Sequence, residues 1–139
     1  MKILVTGAAG FIGSNLAEKL ARRGEDIVGL DNFNDYYDQS KKRDNEQRLA
    51  SYPNFRMIEA DIRDRERMPS LFEREGFDTV AHLAAMAGVH NAIRQPDLYV
   101  EVDLNGTQHL MDGARLIDWR ELWQYRDLFY FLVWRDIKT

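Results

Sequence analysis

No cysteine occurs among the 139 residues, which excludes disulfides, thiolate-bound zinc and thiol nucleophiles. Histidine is nearly as scarce, at three residues. His90 and His109 stand far apart with no carboxylate at ligand spacing, so no metal site is expected. His82, at the end of an apolar run, reads as a packed or hydrogen-bonded side chain rather than a base. There is no excess of positive charge: 19 basic against 23 acidic residues leave a net charge of −4, which gives no electrostatic case for nucleic acid. No apolar run approaches the ~20 residues of a membrane-crossing helix. The N-terminus enters an aliphatic run at once, without the layout of a signal peptide, and a cytoplasmic location is expected. Internal repeats and low-complexity stretches are missing too. What remains, 45% hydrophobic and 30% charged, has the composition of one ordinary globular domain large enough for a core.

The stretch that carries most information is the first thirteen residues, MKILVTGAAGFIG. Ile3-Leu4-Val5 leads into Gly7-Ala8-Ala9-Gly10-Phe11-Ile12-Gly13, which opens an apolar helical pattern. A strand, a tight glycine turn and a helix N-terminus form the arrangement that cradles a dinucleotide pyrophosphate. Gly7 permits the sharp exit from the strand, Gly10 lets backbone approach phosphate without a Cβ between them, and Gly13 lets the helix pack closely on the strand. The free N–H groups and the positive dipole end of that helix then face the diphosphate.

The context on either side agrees. Leu16, Ala17, Leu20 and Ala21 keep helical spacing, Gly24 sits where the helix would stop, and Asp26–Leu30 reads as a second strand. Asp31 then falls where a carboxylate accepts both hydroxyls of an adenosine ribose. The same carboxylate argues for NAD over NADP. At ~4 Å a like charge costs about 1 kcal/mol in water and about 4 kcal/mol at an effective dielectric of 20. Asn32, Phe33 and Asn34 follow, with no cation among them, and the basic trio Lys41-Lys42-Arg43 reads as a solvated helix face.

Strands and helices alternate beyond this point. A charged helix is expected over 40–50, a third strand over Phe55–Glu59, and a polar segment over 61–75 with its helix broken or started at Pro69. A fourth strand is expected over Phe77–Leu83, then a loop through Gly88 and a long helix from Pro96 to about Ile117. Crossover helices between strands imply parallel pairing with right-handed connections. The expected fold class is α/β, a Rossmann-type doubly wound parallel sheet in the order 3-2-1-4, cut off after the fourth strand and its following helix. Its switch point lies between strands 1 and 4. Two segments are expected: a dinucleotide-binding domain over 1–117 and a different tail over 118–139.

Over residues 1–117 the chain resembles the extended short-chain dehydrogenase/reductase family, in particular its NAD-dependent nucleotide-sugar epimerases and dehydratases of the UDP-glucuronate and UDP-galactose 4-epimerase type. The matching segments are TGAAGFIGSNLAEKL, LDNFNDYYD with the lysines after it, EADIRD, HLAAMAGV and IRQPDLYVEVDLNGT. The resemblance implies NAD(H) as partner and a UDP-sugar as substrate class. It implies that Phe11 and Ile12 offer backbone N–H groups to the pyrophosphate, and that Asp31 and Asn32 hold the adenosine ribose with Asn34 nearby. Asp61 and Ile62 would flank the adenine, the carboxylate accepting from its amino group. Leu83, Ala84 and Ala85 would line the wall beside the nicotinamide ribose. The sequence departs from the family where Asp103 replaces the usual Asn on the long helix, altering the charge beside the nicotinamide half. Met86 and His90 stand where the glucuronate-epimerase type commonly has Gln and Arg.

Family catalysis rests on a Ser/Thr and a Tyr-x-x-x-Lys placed after a fifth strand, the tyrosine abstracting a hydroxyl proton as hydride passes to NAD. The one literal match here, Tyr37-Asp38-Gln39-Ser40-Lys41, follows the second strand at the adenosine end, where the family carries such spacing without catalytic meaning. No catalytic residue is therefore assigned.

From about Leu116 the family pattern stops, and the chain reads LIDWRELWQYRDLFYFLVWRDIKT. This tail resembles the cytosolic N-terminal segment of ABC-type polysaccharide-export permeases. Leu128–Trp134 is a run of apolar and aromatic residues that suits either a helix or a buried strand, covering the open side of the sheet or pairing two chains into a homo-oligomer. The functional expectation is an NAD(H)-binding, epimerase-like protein that is not catalytically complete alone. Two other readings stay open: a subunit completed by a partner that brings the Tyr and Lys, and a non-enzymatic assembly or membrane-peripheral module docking through its aromatic tail.

Overall fold

Strand β1 (Lys2–Thr6) is the spine of the structure, its residues from Ile3 to Thr6 buried. The computed structural model describes residues 1–36 and 38–115; the expectations for the tail and for the Tyr37 spacing lie outside the described residues. β1 pairs in parallel with β2 (Asp26–Asp31) on one side and with β4 (Thr79–His82) on the other, while β3 (Phe55–Glu59) lies beyond β2. The order β3-β2-β1-β4 is the one the alternating pattern predicts, a Rossmann-type doubly wound sheet.

Successive strand residues point to opposite faces, and both faces are covered. Ile3 and Val5 join Ala17 and Ala21 of α1 (Phe11–Arg22) and Leu49 of α2 (Gln39–Leu49). Leu4, Val28 and Leu30 join Met68, Leu71 and Phe72 of α3 (Arg67–Glu75) and Leu110 of α6 (Thr107–Ala114). Burial on both faces explains why the central strands read as apolar runs rather than as alternating ones.

The larger differences from the sequence reading lie after β3. Residues 61–66 form turns rather than helix, and α3 starts at Arg67, where the Asp64 carboxylate accepts from the Arg67 N–H at 2.9 Å. Pro69 therefore sits in the first helical turn, where its missing N–H costs nothing. β4 is shorter than expected because Phe77 leaves the sheet to pack edge-on against Phe72, ring centroids 5.3 Å apart, and the Asp78 carboxylate accepts from the Lys2 N–H at 2.7 Å. The loop beyond β4 contains a short helix, α4 (Val89–Arg94). The long helix begins as α5 (Pro96–Tyr99), widens into a π-helical segment over Val100–Gly106 and resumes as α6. Such segments recur beside functional sites, and this one contributes Val102 to the cavity described next.

Candidate functional site

The glycine turn between β1 and α1 is built by close approach. Gly7 has φ +67°, and a Cβ there would meet the Leu83 carbonyl carbon and the Ala84 nitrogen at 2.9 Å. A Cβ on Gly13 would lie 2.0 Å from the Gly7 carbonyl oxygen, so α1 rests directly on the turn. Gly10 differs: its nearest neighbour would be the Gly7 oxygen at 3.2 Å, and the space beyond belongs to the cavity. No side chain caps α1 and no acid occupies its first turn. Its leading N–H groups, which lack intrahelical acceptors, are left for an anion. Phe11 and Ile12 are exposed, and both border the cavity.

Asp31, at the end of β2, is buried, and its acceptor positions are largely engaged. Its Oδ1 accepts from the Phe33 N–H at 2.9 Å and from Lys42 Nζ at 3.1 Å; its Oδ2 accepts from the Ala9 N–H at 3.1 Å. Phe33 reaches this arrangement through the left-handed conformation, φ +51°, beneath the Arg43 guanidinium, whose carbon lies 3.7 Å from the ring centroid. Lys42 corrects the sequence reading. Instead of lying on a solvated face, it is buried, and it also donates to Asn34 Oδ1 at 2.8 Å. The reason is helical phase: Lys42, Asn45 and Leu49 share the inward stripe of α2, and Asn45 donates to the Ala9 carbonyl at 2.9 Å.

Asp61 lies beyond β3. Burial raises its carboxyl, but hydrogen bonds from the Arg63 side chain and backbone and from Asn32 outweigh that and hold it at about 2. Its oxygens accept from Arg63 Nε at 3.0 Å, Arg63 Nη2 at 2.7 Å, the Arg63 N–H at 2.9 Å and Asn32 Nδ2 at 3.1 Å. These contacts fill the roughly four acceptor positions of a carboxylate. An adenine amino group would therefore have to displace a donor rather than find a free oxygen.

The tertiary structure brings all thirteen residues singled out from the sequence to one cavity. The glycine turn (Gly7, Gly10, Phe11, Ile12, Gly13), the β2 end (Asp31, Asn32, Asn34), the β3 end (Asp61, Ile62) and the β4 end (Leu83, Ala84, Ala85) line about 800 Å³ at the C-terminal edge of the sheet. Its size lies within the ~300–1,000 Å³ range of small-molecule and cofactor sites.

The β4 side is held by a chain of hydrogen bonds from residues that no motif singled out. Thr6 Oγ1 accepts from the Leu83 N–H at 3.0 Å and the Ala84 N–H at 3.1 Å, which uses both of its lone pairs. Its hydroxyl must then donate to His82 Nδ1, 2.7 Å away. By elimination Nε2 carries the imidazole proton and donates to Thr107 Oγ1 at 2.9 Å, and that hydroxyl donates to the Asp103 carbonyl at 2.6 Å. The Asp103 carboxylate accepts from the Met86 N–H at 2.8 Å, a contact that an Asn in its place would make equally well. Across the cavity mouth the Tyr36 hydroxyl donates to the Ala87 carbonyl, and Tyr99 donates to the same oxygen at 2.7 Å.

Burial lowers the His82 pKa from its ordinary 6.5, against an opposing pull from Asp103. The folded state thus binds fewer protons than the unfolded one in this range, so the stabilisation is complete above pH 6.5 and is lost as pH falls through the folded-state value. Protonation also places a proton on Nδ1 facing a hydroxyl with no lone pair left. Thermal melts between pH 7.5 and 5 should show stability falling below about pH 6.5, and His82→Gln should flatten that part of the profile. A profile unchanged by the substitution would refute this protonation assignment.

The family model described as GDP-mannose 4,6 dehydratase matches residues 4–130. Among curated proteins, the chain is 45% identical over 115 residues to UDP-glucuronate 4-epimerase 2 of Arabidopsis thaliana, covering 83% of this chain and 26% of that protein. Among solved structures it is similar to UDP-glucuronic acid 4-epimerase from Bacillus cereus in complex with UDP-glucuronic acid and NAD. The TM-score is 0.74 at 37% identity, covering 85% of this chain and 37% of that one. UDP-glucose 4-epimerase from Thermus thermophilus, in complex with NAD, gives a TM-score of 0.70 at 34% identity over 83% of this chain and 34% of its own. The chain thus spans about a quarter of the length of the curated relative and about a third of the solved ones.

Proposed function

The chain belongs to the GDP-mannose 4,6 dehydratase family and is related to nucleotide-sugar epimerases and dehydratases; from that membership we propose that its cavity binds NAD(H). The observation that carries the reading is the uncapped, acid-free start of α1 against a glycine turn, in one cavity with Asp31. The first-turn N–H groups of α1 would hold the pyrophosphate. Asp31 and its neighbours would hold the adenosine ribose, Asp61 and Ile62 would flank the adenine, and Leu83–Ala85 would pack beside the nicotinamide ribose. Two NAD-bound relatives of the same fold support this placement. When bound, NAD supplies a hydride acceptor.

For the rest of the chemistry, the 139 residues are read as incomplete by themselves. Epimerisation needs a base within hydrogen-bond reach of a sugar hydroxyl. The only Tyr-x-x-x-Lys spacing in the sequence, Tyr37–Lys41, comes directly after β2 along the chain. His82 is committed on both ring nitrogens. A UDP-sugar is the substrate class the relatives point to; completion by further chain or a partner would be needed to act on it.

Calorimetry with NADH tests the binding. Saturable binding at a stoichiometry of one is expected, and no heat at high micromolar protein would refute the reading. Turnover of UDP-glucuronate by the same preparation should stay at background. Measurable conversion to UDP-galacturonate would refute the incompleteness and redirect attention to Asp103.

A further inference from the structure

We propose that coenzyme choice is set by the buried Asp31–Lys42 pair acting as one unit, with Lys42 as a latent ligand for a 2′-phosphate. The inference rests on the NAD(H) reading above and deepens it. If Asp31 acted alone, its negative charge would repel a 2′-phosphate. Here the carboxylate is 3.1 Å from the ammonium of Lys42, a residue only 7% exposed, and the two charges largely cancel for any group approaching from the cavity. Acceptor counting points the same way. Oδ1 already accepts from Phe33 and Lys42, and Oδ2 accepts from Ala9, which leaves about one position for a ribose hydroxyl. Two of the three ammonium protons are spent on Asp31 and Asn34, and the third has no partner among the described residues. Lys42 lines the cavity. It can therefore donate to the second ribose hydroxyl, or to a phosphate in its place.

The consequence is a definite pattern across variants. Asp31→Asn is close in size, removes the charge that cancels the ammonium and leaves Lys42 as an uncompensated buried cation beside the 2′ position. The ratio of NADPH to NADH affinity should shift toward NADPH by about a hundredfold. Adding Lys42→Met to that variant should return about tenfold or more of the shift, because the cation that binds the phosphate is gone.

Calorimetric titration of the whole chain, the single variant and the double variant with both dinucleotides reads these ratios directly. Equal ratios in the single and double variants would overturn the inference, since Lys42 would then not reach the 2′ position. If Asp31→Asn does not fold by circular dichroism, Lys42→Met alone serves. With Asp31 unneutralised, its ratio should move about tenfold the other way, toward NADH, and an unchanged or opposite ratio overturns the proposal. Binding of neither dinucleotide by the unaltered chain would overturn the NAD(H) reading, and this inference with it. Tight NADH binding with variant ratios that do not differ overturns only the inference.

Discussion

Gly10→Val is expected to abolish NADH binding, raising Kd by about a hundredfold or more, while the melting temperature moves by only about 3 °C. The two effects separate because Gly10 adopts an ordinary extended conformation, φ −74° and ψ 173°, which valine accepts. The added Cβ meets only the Gly7 carbonyl oxygen at 3.2 Å, an approach that relaxes by a few tenths of an ångström. The two methyl groups project into the cavity, over the uncapped start of α1 where the pyrophosphate is proposed to lie. They shield the N–H groups that give the site its affinity for an anion. Calorimetry and a thermal melt on the same preparation check both halves. Wild-type affinity in the variant would remove the phosphate from this turn, whereas joint loss of binding and fold would mean that the turn needs Gly10 for packing.

Gly13→Ala is expected to do the opposite, unfolding the domain at a lower temperature with binding lost as a result. Within a helix, glycine to alanine ordinarily stabilises by about 1 kcal/mol through backbone entropy. Here the single methyl would lie 2.0 Å from the Gly7 carbonyl oxygen and 2.7 Å from its carbon. Neither atom is the end of a flexible side chain. Gly7 backs onto the Leu83–Ala84 backbone, where a Cβ on it would meet atoms at 2.9 Å, and Thr6 beside it carries the hydrogen bonds of the β4 loop. Relief therefore requires α1 to move off the sheet, uncovering Ala17 and Ala21 against Ile3 and Val5. A net destabilisation of about 3 kcal/mol or more, or about 10 °C in Tm, is expected. Calorimetric melts decide it: an unchanged or raised Tm would mean that propensity wins and that the close contact is not rigid.

The contrast between these glycines marks how far sequence reasoning reaches. Fold class and strand order were legible because β1 and β2 are buried on both faces and spell continuous apolar runs, and because crossover helices leave one handed way to join parallel strands. That residues near those strand ends share one cavity was legible because each follows a strand whose end borders it. The ends of β4 and α3 were not, since Phe77 leaves the sheet for a ring contact with Phe72 and Asp64 caps the helix from outside it. Lys42 was hidden for a different reason. Lys41, Lys42 and Arg43 look alike in sequence, and only the phase set by Leu49, the one apolar side chain of α2, turns the middle one inward.

The sequence by itself determined the order of the sheet, the glycine turn and the acid that follows β2, because these depend on local conformation and on period. Only the tertiary structure decided the electrostatics of the site. Whether Asp31 confronts a ligand as a charge or as half of a pair depends on a lysine eleven positions away along the chain and 3.1 Å away in space. Whether His82 is a base or a strut depends on two threonines, Thr6 and Thr107, that come to its two ring nitrogens from different elements. Such contacts are fixed by how helices settle on the sheet, and Coulomb energy and donor counting respond to those distances rather than to separation in sequence.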